Sequence, residues 1–147
     1  MIEKQGMFFE SKVRLEKVTE DGMQVKFVEL YVVDAMTFTE CEAKVNEYVS
    51  QYASGEFEVL TECKAAYGEI LFSEKEDESL FFKIKVDFIT IDEKSGKEKH
   101  SKSVYLVQGD NVETAKKNLD SVFSGSMVDY KVVAVSETTI ADFIGSV

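Results

Sequence analysis

One histidine and two cysteines are the only imidazole and thiol side chains in this chain. His100 stands in the run Lys97-Glu98-Lys99-His100-Ser101-Lys102, while Cys41 and Cys63 form no close pair. A single imidazole rules out a two- or three-histidine metal centre, and zinc would need a very mixed ligand set. No nucleophile-elbow glycine–serine pattern is present to hold a Ser–His pair. His100 therefore reads as a solvent-exposed residue of a charged hairpin. The glycine-rich phosphate loops GxGxxG and GxxxxGK are absent as well. No catalytic residue, metal ligand or cofactor-binding residue is expected, and the chain does not read as an enzyme.

Carboxylates are plentiful. Glu74, Glu76, Asp77 and Glu78 crowd into one stretch, but they lack the spaced oxygens and turn glycine of a calcium loop. They read as a solvated acidic linker. Lys94, Lys97, Lys99, His100 and Lys102 make the one basic cluster. It suits phosphate or an acidic protein surface, or it protects an exposed hairpin from edge pairing. The aromatic pairs Phe8-Phe9 and Phe81-Phe82 place neighbouring rings on opposite faces of a strand. If Phe9 and Phe82 face the core, Phe8 and Phe81 look outward. They then form a dimer surface, stack on bases, or lie under a second layer.

The elements that must carry these groups come in two similar sets. Phe9, Val13 and Leu15 alternate with Glu10, Lys12, Arg14 and Glu16, the pattern of a half-buried strand. Glu20-Asp21-Gly22 is a tight-turn signal, and 25–33 is the return strand. Its end, Leu30 to Val33, is apolar on both faces, as in a strand covered on both sides. Thr37 and Glu40 form a capping box, with Thr39 and Glu42 as a second register, ahead of the helical stripe Phe38, Cys41, Val45, Tyr48, Val49, Tyr52, with Gly55 as a stop. Phe57 to Thr61 is a third strand and Tyr67 to Phe72 a further extended piece. The same order returns from Phe82, with a turn at Lys94-Ser95-Gly96-Lys97, a helix capped by Asp110 and Glu113 running to about Ser124, and closing strands from Tyr130 and Thr139.

The offset between the two sets stays near 73 residues. The fold class expected is α+β, built by internal duplication of a ββαβ(β) unit. One domain, 1–147, would hold repeats 8–72 and 81–144 joined by the acidic linker 73–79, related by a pseudo-twofold axis. Two helices would cover a common face of one antiparallel or mixed sheet. Cys41, on the apolar stripe, reads as a buried free thiol. No apolar run approaches 18 residues, and the start of the chain lacks a signal-peptide pattern. A cytoplasmic protein that makes no membrane contact is expected.

The strings Phe9-Glu10-Ser11-Lys12-Val13-Arg14-Leu15-Glu16-Lys17, Tyr31-Val32-Val33-Asp34-Ala35, Phe38-Thr39-Glu40-Cys41-Glu42-Ala43 and Phe88-Ile89-Thr90-Ile91-Asp92-Glu93-Lys94-Ser95-Gly96 resemble domain-of-unknown-function family 4494. The resemblance spans nearly the whole chain. It implies a small bacterial or phage protein and carries over no activity, ligand or catalytic residue.

Net charge completes the functional expectation. The formal charge is −11, which repels nucleic acid at long range and suits a basic partner or simply solubility. Residues 1–73 hold 14 acidic against 7 basic side chains, while 80–147 hold 10 against 9. The leading reading is a non-enzymatic binding or accessory protein acting through a protein surface, with a homodimer as one form. The candidate surface is Phe8, Glu10, Glu16, Glu29 and Tyr31. The alternatives are an acidic nucleic-acid mimic that blocks a basic nucleic-acid enzyme, or a weak single-stranded nucleic-acid binder using the basic hairpin 94–102.

Overall fold

The computed structural model describes all residues, Met1–Val147. Nine strands and two helices follow one another as β1 (Ile2–Gln5), β2 (Phe8–Val18), β3 (Gln24–Asp34), α1 (Phe38–Tyr52), β4 (Phe57–Lys64), β5 (Glu69–Phe72), β6 (Leu80–Ile91), β7 (Glu98–Gly109), α2 (Val112–Phe123), β8 (Asp129–Glu137) and β9 (Ile140–Ile144). The architecture is α+β, as expected. The single sheet with both helices on one face is not what forms. There are two mixed sheets, ordered β4-β2-β3-β9 and β1-β5-β7-β6-β8, and each packs one helix.

The chain divides into two compact units. The β2 unit holds Gly6–Ala65 and Thr139–Ser146; the β6 unit holds Met1–Gln5 and Ala66–Thr138, with Val147. These boundaries cut across the expected repeats. β5, which follows β4 in the chain, pairs in parallel with β7, and β9, which follows β8, pairs in parallel with β3. Short apolar strands such as Ile70-Leu71-Phe72 carry no local signal for which sheet they join. Non-local pairing, not chain order alone, therefore sets the two units. The N-terminal strand β1, absent from the sequence reading, completes an edge by pairing antiparallel with β5.

In the β2 unit, Phe9, Val13 and Leu15 are buried under α1, which contributes Cys41, Val45 and Val49. Each fully buried apolar side chain of this size contributes about 1.5–3 kcal/mol. The β2–β3 hairpin turns at Gly22, whose φ of +80° favours glycine. Thr37 caps α1 by accepting from Glu40 N–H, while Glu40 reaches the backbone N–H of Met36 rather than that of Thr37. The helix ends at Tyr52, and Ala53 N–H returns to the Val49 carbonyl ahead of Gly55.

In the β6 unit, Phe82, Ile84 and Val86 pack under Ala115 and Leu119 of α2. The cap of α2 is Asn111, not the expected Asp110–Glu113 pair. Asn111 Oδ1 accepts from Thr114 N–H, and Thr114 Oγ1 accepts from Asn111 N–H. This reciprocal closure selects a register one residue later.

The expected solvated linker is also corrected. Glu74, Glu76 and Asp77 are exposed, but Glu78 is only 6% exposed. Its carboxylate accepts from Ser73 Oγ at 3.0 Å and from Asn118 Nδ2 at 2.6 Å. Lys75 Nζ stands 3.8 Å away. The segment belongs to the β6 unit and is tied to α2.

Candidate functional site

Each unit carries a notch where a short parallel strand stops and a longer neighbour runs on. In the β2 unit β9 pairs only with Leu30–Val33 of the eleven-residue β3. Asp142 thereby lies opposite Tyr31. Glu29 and Tyr31, two residues apart on one strand, share a face. Tyr48 and Tyr52, one helical turn apart on α1, meet that face. The Tyr31 and Tyr48 ring centroids are 5.4 Å apart, and those of Tyr48 and Tyr52 are 4.8 Å apart.

These groups, with Lys17 and Ala141, surround a small cavity of about 190 Å³. The Tyr31 hydroxyl donates to Glu29, and the Tyr48 hydroxyl donates to Asp142 Oδ2 at 2.5 Å. Lys17 Nζ lies 2.5 Å from Glu29 Oε1. Burial alone raises the Glu29 pKa, but hydrogen bonds from Lys17 and Tyr31 and the Lys17 charge bring it below the ordinary carboxylate value. Burial, reinforced by the neighbouring carboxylates, pushes both Tyr31 and Tyr48 well above ordinary phenols. The hydroxyls therefore stay protonated and donate. Two carboxylates against one ammonium leave a net negative charge beside the Tyr48 and Tyr52 rings, with Tyr31 buried beneath Tyr48. The sign of such a wall favours a cation over an anion.

In the β6 unit the notch is wider. β5 pairs only with Tyr105–Val107, whereas β7 begins at Glu98. Residues 98–104 thus have β6 on one side and an open edge on the other. A cleft of about 760 Å³ lies there, lined by Gln5, Gly68, Glu69, Lys85, Lys102 and Ser103 among others. Glu69 lies opposite Tyr105 as Asp142 lies opposite Tyr31. Burial and the charge of Glu3 raise the Glu69 pKa despite a hydrogen bond from Gln5.

The candidate surface from sequence is only partly assembled. Glu29 and Tyr31 come together in the tyrosine cavity. Phe8 does not reach solvent: it is 1% exposed and packs edge-to-face on Phe143, with centroids 6.2 Å apart. Tyr31 is 3% exposed, held under Tyr48, so neither aromatic offers an open apolar centre. Glu10 and Glu16 are half-buried and apart from this cavity; Glu16 Oε2 accepts from Gln24 Nε2 at 2.6 Å.

The basic hairpin is exposed, but two of its side chains are engaged. Lys99 Nζ stands 3.6 Å from Asp92, and His100 Nδ1 stands 2.7 Å from Asp87. Lys94 and Lys97 occupy the turn around Gly96, and Lys102 lines the cleft with Lys85. Tyr48, Tyr52 and Asp142 were missed as site residues. The available signal was two tyrosines at i and i+4 on the apolar helical stripe.

The fold and its notches define a class: an α+β protein of two mixed sheets, each with one helix on one face. The chain matches the family model described as Domain of unknown function (DUF4494) over residues 7–146, nearly its whole length, and it belongs to that family. No curated protein and no solved structure matches it. No helix is long and apolar enough to cross a membrane.

Proposed function

We propose that this is a non-enzymatic binding protein that takes hold of a cationic protein partner through the β2 unit. The carrying observation is the cavity of Tyr31, Tyr48 and Tyr52 with Glu29 and Asp142. The Tyr31 and Tyr48 hydroxyls and both carboxylates are already hydrogen-bonded into place, so little ordering is lost when a lysine or arginine side chain enters. The unit around it holds thirteen acidic and six basic side chains, a field that draws in a basic surface and weakens as salt rises. The two free thiols, Cys41 buried and Cys63 exposed, support residence in a reducing bacterial cytoplasm, whether the chain is host- or phage-encoded.

The test uses tyrosine emission. The chain has no tryptophan and six tyrosines, three of them in this cavity. A lysine-rich peptide titrated at low salt should change the emission and lose affinity at high salt. Tyr52→Ala with Asp142→Asn should weaken binding about tenfold without altering the circular dichroism spectrum. Equal binding by wild type and variant, or preference for an oligonucleotide, overturns the reading.

The architecture itself supports descent by duplication of one ββαββ unit, with the closing strands exchanged. Both hairpins turn on a positive-φ glycine, Gly22 and Gly96. The outer strands β4 and β8 bulge at corresponding places, with Leu60 and Val133 the extra residues opposite Lys12/Val13 and Lys85/Val86. A side chain of each helix satisfies the corresponding strand-end carbonyl: Lys44 bonds that of Asp34, and Asn118 that of Gln108.

A further inference from the structure

The β6 notch has a different chemistry from the tyrosine cavity, and it carries a second inference independent of the first. β7 is twelve residues long, yet only its last part has a neighbour on the β5 side. Glu98–Lys102 are exposed, and Ser103 and Val104 are half-buried. An open edge of seven residues spans about 23 Å at roughly 3.3 Å per residue. It presents alternate backbone N–H and C=O groups that a further strand would satisfy.

The side chains beside that edge are unusual for this chain. Residues 97–104 carry Lys97, Lys99 and Lys102 against Glu98 alone, with His100 between them. Lys85 on β6 and Lys102 on β7 both line the cleft, and Asp87, the residue opposite Lys102, is engaged by His100. Lys83, on the same strand and face as Lys85, lies over the Tyr67 ring at 5.6 Å. Gly68 and Glu69 close the end of the cleft where β5 begins. The arrangement is a strand-wide slot with cationic walls in a protein that is acidic overall.

We infer that the slot receives an extended acidic peptide segment of a partner protein, added as a strand along residues 98–104 in line with β5. Main-chain pairing supplies the binding, and carboxylates of the segment meet Lys85 and Lys102. The Glu69 carboxylate limits how far the segment runs, because an acidic side chain placed at the β5 end meets like charge. A single nucleic-acid strand would use the lysines but leave the β7 amides unpaired, so backbone protection separates the two ligands.

The experiment uses the full chain and a labelled eight-residue peptide of alternating glutamate and valine. Fluorescence anisotropy measures affinity, and amide hydrogen exchange locates the contact. Binding is expected, with slowed exchange at the outward amides of 98–104 and at least tenfold weaker binding to Lys85→Gln/Lys102→Gln. Both lysines are exposed, so the variant should fold, and its exchange rates without peptide check this. Three results overturn the inference: no binding by the wild type, equal binding by the double variant, or tighter binding of oligothymidylate with no protection at 98–104.

Discussion

Replacing Glu78 by alanine tests whether the acidic segment is structural. The carboxylate accepts from Ser73 Oγ and Asn118 Nδ2, and hydrogen bonds to a charged acceptor contribute about 1.5–3 kcal/mol each. Two effects offset part of the loss. The carboxylate no longer has to be dehydrated, and Asn118 keeps the Gln108 carbonyl at 2.8 Å. The net cost works out at about 2–3 kcal/mol. For a chain of this size each kcal/mol moves the melting temperature by about 3 °C. Glu78→Ala should therefore melt about 6–9 °C lower by calorimetry. Glu76→Ala, at an exposed position of the same run, should stay within about 2 °C. Equal shifts for the two variants would refute the reasoning and restore the solvated linker.

Three further outcomes are expected. Burial pushes the Cys41 thiol up to about 12, so its thiolate fraction at neutral pH is about a thousandfold below that of an ordinary thiol; mass spectrometry after alkylation of the native protein should find Cys63 modified and Cys41 intact. Asn111→Ala should cost about 1 kcal/mol in denaturant unfolding and exceed Asp110→Ala, because Asn111 holds the α2 cap. Tyr31 is raised from an ordinary value of 10 by burial and then by Glu29. Above pH 10 the unfolded chain has released this proton while the fold keeps it. Stability is thus full below pH 10 and falls as pH rises further, by up to about 1.4 kcal/mol per unit for this group. Tyr31→Phe should flatten that alkaline slope in pH-dependent unfolding.

The parts legible in sequence were those with local causes. Alternation along β2 and β6, the glycine turns and the helical stripes all depend on nearest-neighbour geometry, and they appear within a few residues of expectation. Phe8 was not legible in the same way. Alternation places it opposite Phe9, but only packing beyond its own hairpin, seen in its contact with Phe143, determines that this face is buried. Tyr31 and Glu29 were singled out, yet their partner Asp142 arrives from a strand more than a hundred residues away. Glu78 resembles its exposed neighbours in type; a single amide on α2 distinguishes it. Asp110 and Asn111 are both good caps, and Thr114 decides between them.

The crossed closing strands also set an order of events during synthesis. β3 emerges from the ribosome with one flank open, and the strand that covers it, β9, is made roughly a hundred residues later. At about 5–20 residues per second that delay is about 5–20 s. Throughout it the apolar run Leu30 to Val33 has no parallel neighbour, and any nascent β-strand nearby can pair with it. β5 likewise is made before β7 and waits for its own partner. The chain thus leaves each of its parallel pairings to be completed by a segment of the other half. A stalled or truncated product would expose an adhesive edge, so quality control acting on partial chains has a defined target in β3.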